Sequence, residues 1–192
     1  NYIIILYFLY LLILLILYLY KFKTIFVFKK KEIIYLFALF IVSFAVFLEI
    51  ANNLIIAWDA QKFWIYKTLN FYNGNSITNL SNMPNSWYPY LGSLTWSFFW
   101  KISLIDNEYT GRLFFALLYL SSLLMLVSNL KVSLIFKIIL FIIFVIISYD
   151  YTYHSHWSMF AGNQEILIFS LICIAMHFFY KMTFKKENFS NV

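Results

Sequence analysis

The sequence predicts an all-α fold: a polytopic membrane helix bundle with about five transmembrane helices and interfacial helices in its first outer loop. Hydrophobic residues make up 64% of the 192-residue chain and aromatic residues 23%, whereas charged residues make up only 11%. This composition is far from that of soluble domains. Apolar runs of about 20 residues, enough to cross the hydrocarbon core as helices, recur along the chain. Lysines cluster beside these runs.

Five apolar segments are long enough to be membrane spans. The first lacks a basic start and a small-residue cleavage site, so we expect a span and not a signal peptide. The chain begins with Asn and not Met, and we expect a fragment or a processed chain that forms one membrane domain over 1–192. The predicted spans are 2–20, 33–57, 112–130, 132–149 and 163–180.

Lysine positions predict the orientation of these spans. Cytoplasmic loops carry an excess of Lys and Arg, so the three lysine groups are expected inside and the segments 58–111 and 150–162 outside. The net charge of +6 then records topology, and no nucleic-acid partner is expected. The three groups are Lys21, Lys23, Lys29, Lys30 and Lys31; Lys131 and Lys137; and Lys181, Lys185 and Lys186.

The first outer loop, 58–111, contains a short apolar stretch, LGSLTWSFFWKISLI, at 91–105. It is short for a span and carries a lysine, so we expect an interfacial or re-entrant helix; a true short span is the alternative. Trp and Tyr concentrate at membrane–water interfaces, and we expect the loop to lie along the membrane. Its aromatic residues include Trp58, Trp64, Trp87, Tyr88, Tyr90, Trp96 and Trp100.

Polar residues near the end of the second span indicate a site at the outer surface. Glu49, Asn52, Ile56 and Asp59 would share one face of a continuous helix, with Asn53 beside them. Ionisable residues in spans are costly and face protein or water. The alternative is that Glu49 and the asparagines only join neighbouring helices by hydrogen bonds.

The second outer loop also offers polar residues. His154 and His156 could share a metal on an extended segment, although interfacial histidines are commonly structural, and no metal site is assigned. Glu165 opens the last span, where a helix N-terminus favours an anion; simple stabilisation of that helix is the alternative. Asp150 precedes both histidines.

The outer segments carry four cations that could hold a lipid phosphate, or could simply be solvated or snorkelling. The chain has no P-loop, no dinucleotide-binding glycine motif, no metalloprotease motif and no nucleophile elbow, so nucleotide-dependent chemistry is not expected. Its single cysteine, Cys173, lies in an apolar run and suits packing. The four cations are Lys62, Lys67, Lys101 and Arg112.

Four short motifs over residues 33–180 follow one another in a familiar order. A span ends in WDA, NSWYPYLGSLTW precedes a short helix, NEYTGRLFFALLYL opens a span, and AGNQEILIFSL opens another. This resembles the N-terminal half of GT-C class membrane glycosyltransferases, the group that includes the protein-mannosyltransferase-like and aminoarabinose-transferase-like enzymes. The extra span at 2–20 and Tyr90, in place of a second proline, depart from the family pattern.

The resemblance implies roles for individual residues. Asp59 matches the first-loop acid, which serves as catalytic base or activates the acceptor, and Glu165 matches a second-loop acid where Asp is commoner. Arg112 matches the Arg that opens the next span, and Tyr88 lies in the YPPL-like segment. We further expect Lys62 and Trp58 to contact the substrate.

The function this implies is transfer of a sugar from a polyprenyl-phosphate-type donor to an unknown acceptor, at the periplasmic face of a bacterial inner membrane. The lipid-linked donor and the bilayer would be its partners, and basic residues or a divalent cation would stabilise the departing phosphate. The alternatives are a transporter or flippase-like protein, which would depend on Glu49, and a non-catalytic membrane assembly subunit.

Overall fold

The computed structural model describes residues 30–52, 54–83, 85–104, 106–153 and 160–184. The predicted span at 2–20 and both histidines, His154 and His156, lie outside these residues. All long elements that are described are helices, which confirms the all-α prediction. They are α1 (Lys30–Asn52), α2 (Ile65–Tyr72), α3 (Leu91–Ile102), α4 (Tyr109–Ser128), α5 (Leu134–Tyr153) and α6 (Glu165–Phe184), with a π-helical turn at Ala60–Trp64 and a 3₁₀ helix at Ile77–Asn82.

Three of these helices are long and apolar enough to cross a membrane: α1, α4 and the Glu165–Thr183 part of α6. The apolar part of α5, Leu134–Ser148, is shorter. The described residues therefore support a helical membrane protein with three helices of spanning length. About five spans were expected from the sequence.

The chain divides into two compact units, Asn1–Leu36 and Phe37–Val192. The described part of the first unit is the start of α1, with Lys30, Lys31 and Glu32 in its first turn. In the rest of α1, Phe37, Phe40, Phe44 and Leu48 are exposed. An apolar surface of this extent suits contact with lipid or with another helix.

Helix α1 ends earlier than the predicted span at 33–57. Asn52 is its last residue, and 54–57 are not helical. Asparagine favours helix ends, and the backbone beyond it bonds elsewhere: Ala57 N–H donates to Ala161 O at 2.9 Å. The prediction that Glu49, Asn52 and Asp59 share one continuous helix face is therefore wrong.

Helix α4 is the centre of the second unit and packs against α3, α5 and α6. Its N-terminal turn contacts the segment before α6, since Arg112 donates to Phe160 O. Near its other end, Asn129 bonds His177 of α6 at 2.8 Å. Helices α4 and α6 consequently run in the same direction. The α4 core residues are Phe115, Ala116, Tyr119, Leu120, Leu123, Leu124 and Val127.

Helix α3 is the short helix that the sequence predicts at 91–105. Its 12 residues span roughly 18 Å, against a hydrocarbon core of roughly 30 Å. One face, which includes Gly92, Trp96 and Trp100, is buried, while Leu91 and Phe98 on the other face are exposed. Its placement in the membrane interface stays a prediction.

The aromatic residues of the first outer loop divide into two groups. Trp64, Trp96 and Trp100 are buried, so the prediction that they face the membrane interface is wrong. Trp58 and Trp87 are 58% and 77% exposed and remain available to it. Large aromatic side chains are favoured in cores as well as at interfaces, and composition does not separate the two uses.

Candidate functional site

Asp59 lies in the first turn after the break that follows α1. The backbone N–H of Gln61 donates to Ala57 O at 2.8 Å, and the Gln61 side chain donates to Ile56 O at 2.7 Å. These two bonds fix the backbone on either side of Asp59. Asp59 is partly exposed, and its carboxylate makes no capping bond to the helix that follows. It is therefore open to a substrate hydroxyl or a cation.

Glu165 is the first residue of α6 and is exposed. The segment before it contacts the segment that carries Asp59. Besides the Ala57–Ala161 bond, Gly162 faces Ala60, because a Cβ added to Gly162 would lie 3.1 Å from the Ala60 Cβ. The structure thus brings the two acid-bearing segments together at one end of the bundle.

Arg112 joins three parts of the chain in this region. It is 1% exposed. Its Nη1 donates to Ile55 O at 2.8 Å and to Phe160 O at 3.3 Å, and its Nη2 donates to Glu108 Oε1 at 2.7 Å. The guanidinium therefore connects the segment before Asp59, the start of α4 and the segment before Glu165. Its assignment to substrate binding stays a prediction.

Glu108 is a residue that the sequence analysis missed. Its carboxylate is the ion-pair partner of Arg112 at i and i+4, a spacing that brings side chains together at a helix start. Burial raises the pKa of the Glu108 carboxyl, and the attraction to Arg112 offsets only part of this rise. Glu108 Oε2 and Arg112 Nε are buried without a hydrogen-bond partner among the described residues.

The other three candidate phosphate-binding cations, Lys62, Lys67 and Lys101, differ in their exposure and hydrogen bonds. Lys67 is 0% exposed and donates to Asn85 O at 2.8 Å and Tyr88 O at 2.9 Å. Burial lowers the pKa of Lys67. Lys101 donates to Tyr72 O at 2.9 Å. Lys62 is exposed, and within the described residues it is the cation of these four that remains available to an external phosphate.

An aromatic stack extends from Trp58, beside Asp59, to Trp87. Phe63 lies edge-on to Trp58 at 5.9 Å and stacks on Tyr88 at 5.2 Å, and Tyr88 stacks on Trp87 at 4.4 Å. Lys67 Nζ lies 5.7 Å from the Tyr88 ring centre on the inner side. Tyr88 is thus held by its carbonyl and by its ring, between a buried cation and the exposed Trp87.

A buried amide lies beside these residues and also escaped the sequence analysis. Gln164 is buried, and neither polar atom of its side chain has a partner among the described residues. Its amide abuts Gly92 so closely that a side chain at residue 92 would overlap it. The close approach of α3 to the segment before α6 therefore depends on this glycine.

The second outer loop contains two histidines, His154 and His156, whose spacing could suit a shared metal. Within the ranges that the structure describes, no group of three or more His, Cys, Asp and Glu side chains comes together. His154 and His156 lie outside those ranges. Asp59 and Glu165 are oxygen donors of the kind that hard divalent cations use, and they remain the acids to which the resemblance assigns function.

The described residues form an all-helical protein with three helices long and apolar enough to span a membrane, and an aromatic, lysine-containing loop packs beside the start of α4. Two acid-bearing segments meet there around a buried arginine. A comparison with protein families, with curated proteins and with solved structures finds no match for this chain.

Proposed function

We propose that the chain is a membrane glycosyltransferase, similar to the N-terminal half of GT-C enzymes, that moves a sugar from a polyprenyl-phosphate-type donor to an acceptor. The observation that carries the proposal is the contact between the segments bearing Asp59 and Glu165, through the 2.9 Å bond from Ala57 N to Ala161 O. Acids supplied by separate loops to one end of a bundle suit general base catalysis at a membrane surface.

In the proposed reaction an acceptor hydroxyl attacks the anomeric carbon of the donor sugar. A C–O bond forms to the acceptor, the C–O bond to the lipid phosphate breaks, and Asp59 takes the hydroxyl proton. Asp59 suits this role because it is partly exposed and lies within a hydrogen-bonded turn, closed by the bond from Gln61 N to Ala57 O. Glu165 would hold the acceptor or the sugar from the opposite segment.

The departing phosphate needs positive charge. Lys62 follows Asp59 by three residues and is exposed, whereas Lys67 and Lys101 are bonded to backbone carbonyls. Lys62 is therefore the cation that we assign to the phosphate. Trp58 and Trp87, at the two ends of the aromatic stack, would hold this region at headgroup depth, where the phosphate of a membrane-embedded donor lies.

We place the site on the periplasmic side of a bacterial inner membrane. Helices α4 and α6 both begin at the site. Lys131 follows the far end of α4, and Lys181 lies in the last turn of α6. Lysine-rich ends favour the cytoplasm, so the ends that carry Asp59 and Glu165 would face outward.

The test is donor turnover in reconstituted vesicles. The chain would be given a radiolabelled polyprenyl-phosphate hexose or pentose, with a bacterial membrane extract as the source of acceptor. Asp59→Asn should reduce loss of label from the lipid by roughly 100-fold or more, the contribution typical of a general base. Asp106→Asn removes an exposed acid of the same loop and should retain turnover.

Thermal unfolding in detergent would establish that Asp59→Asn and Asp106→Asn are folded before their turnover is compared. Wild-type turnover in a folded Asp59→Asn variant would refute the role of Asp59. Turnover no higher in wild-type vesicles than in empty vesicles, across the panel of donors, would refute the transferase proposal.

A further inference from the structure

The Arg112–Glu108 pair offers the strongest unexplained arrangement in the described residues. Charged side chains are rarely buried unless they are paired, and Arg112 is 1% exposed while lying in the first turn of a membrane-spanning helix. Its guanidinium bonds three groups of the protein itself: two backbone carbonyls and one carboxylate.

The two carbonyls that accept from Arg112 lie close in sequence to the two acids. Ile55 O precedes Asp59 by four residues, and Phe160 O precedes Glu165 by five. Each acid lies within a hydrogen-bonded turn, because Gln61 N–H donates to Ala57 O at 2.8 Å and Leu167 N–H donates to Gln164 O at 3.0 Å. A displacement at either carbonyl would therefore move the acid that follows it.

We infer that Arg112 is a positioning residue that sets the separation of Asp59 and Glu165, with Glu108 as the counter-charge that keeps its guanidinium in place. The inference rests on the proposed function for its catalytic meaning. In this role Arg112 bonds only groups of the protein and affects the reaction by positioning the two acids. It does not contact the donor phosphate.

The chemistry of arginine suits this role. A planar guanidinium presents several N–H donors in a fixed fork, so one side chain can bond three acceptors in set directions. A lysine keeps the charge but presents a compact ammonium without that geometry. Arg112→Lys therefore tests geometry separately from charge.

Two measurements test the inference. The first is the distance between spin labels at Lys62→Cys and Ile168→Cys, two exposed positions beside the acids, in a chain whose single cysteine is replaced by Cys173→Ala. Arg112→Lys should broaden or shift the distance distribution. Lys137→Gln is the matched control, since it removes another cation–carbonyl bond, from Lys137 Nζ to Ser128 O at 2.7 Å, near the other end of α4.

The second measurement is donor turnover in unlabelled chains. Misplacement of reacting groups by about 1 Å can cost about 100-fold in rate, so Arg112→Lys should lower kcat to that extent and leave KM within about twofold of wild type. A rise in KM with kcat unchanged would overturn the inference and assign Arg112 to substrate binding.

Glu108→Gln provides a milder variant if Arg112→Lys does not fold. It keeps an oxygen acceptor for Arg112 and removes the counter-charge, and it should give a smaller broadening and a smaller loss of kcat. An unchanged distance distribution in Glu108→Gln, or in a folded Arg112→Lys, would refute the inference. The distance needs no turnover, so it tests positioning even if the transferase proposal fails.

Discussion

Gly162 offers a sharp test of how the segment before α6 packs against the first outer loop. Its backbone has a φ of +94°, and a Cβ added there would lie 2.5 Å from Trp96 Cη2 and 2.8 Å from Cζ3. Trp96 is 0% exposed, and its Nε1 donates to Glu108 O at 3.0 Å. The indole is therefore held in place and has little room to move away.

Gly162→Ala should carry two costs. A positive φ costs a residue with a Cβ roughly 1–2 kcal/mol, and overpacking of a filled core typically costs about 1–3 kcal/mol. The expected loss in the free energy of unfolding is thus roughly 2–5 kcal/mol. Gly74→Ala is the matched control, because Gly74 has a φ of +82° but its added Cβ would meet nothing within 4 Å.

The assay is unfolding of both variants by SDS titration in mixed micelles, followed by tryptophan fluorescence. Gly74→Ala should lose only the conformational cost, and Gly162→Ala should lose at least about 1 kcal/mol more. Equal losses in the two variants would refute the close packing of Gly162 against Trp96, and with it the packing of the segment before α6 against α3.

Two further predictions concern buried charges. Lys67→Met should destabilise the chain by roughly 2–4 kcal/mol, because it leaves the carbonyls of Asn85 and Tyr88 without their donor. Limited proteolysis should then cleave near residue 87. Proteolysis no faster than in the exposed-lysine control Lys62→Met would contradict this prediction. For Glu108, whose pKa burial raises, the folded state binds the proton more tightly than the unfolded state. Stability should therefore rise as the pH falls from above the raised pKa towards the ordinary value of 4.5. Thermal unfolding should be measured at pH 7.5 and about pH 5. The stability of the wild type relative to Glu108→Gln should be greater at the lower pH. The opposite trend would mean that the attraction to Arg112 outweighs the effect of burial on the Glu108 carboxyl.

The long helices were predictable because length and hydropathy suffice to find them. The apolar runs at 112–130 and 163–180 correspond to α4 (Tyr109–Ser128) and α6 (Glu165–Phe184). The end of α1 was not predictable in the same way. The backbone at 55–57 leaves the helix to bond Arg112 and Ala161, and such partners, far away in sequence, leave no local signal.

The sequence indicated which kinds of residues form the candidate site, but much less about how those residues are buried and bonded. The motif EYTGRL contains both members of the ion pair, Glu108 and Arg112, at i and i+4 spacing. This spacing was the sequence signal for the pair. The burial of Lys67 had no comparable signal, since its two acceptors are 18 and 21 residues away. Nor did composition show which tryptophans would be core.

The proposed site requires Asp59 and Glu165 to lie at the same membrane surface, opposite the lysine-bearing connection between α4 and α5. The measurement is labelling by a membrane-impermeant maleimide in sealed vesicles, before and after permeabilisation. Single cysteines would be placed by Asp59→Cys, Glu165→Cys and Lys131→Cys in the Cys173→Ala background. We predict that positions 59 and 165 label from one side and position 131 from the other. Labelling of 59 and 165 from opposite sides would contradict both the topology and the site.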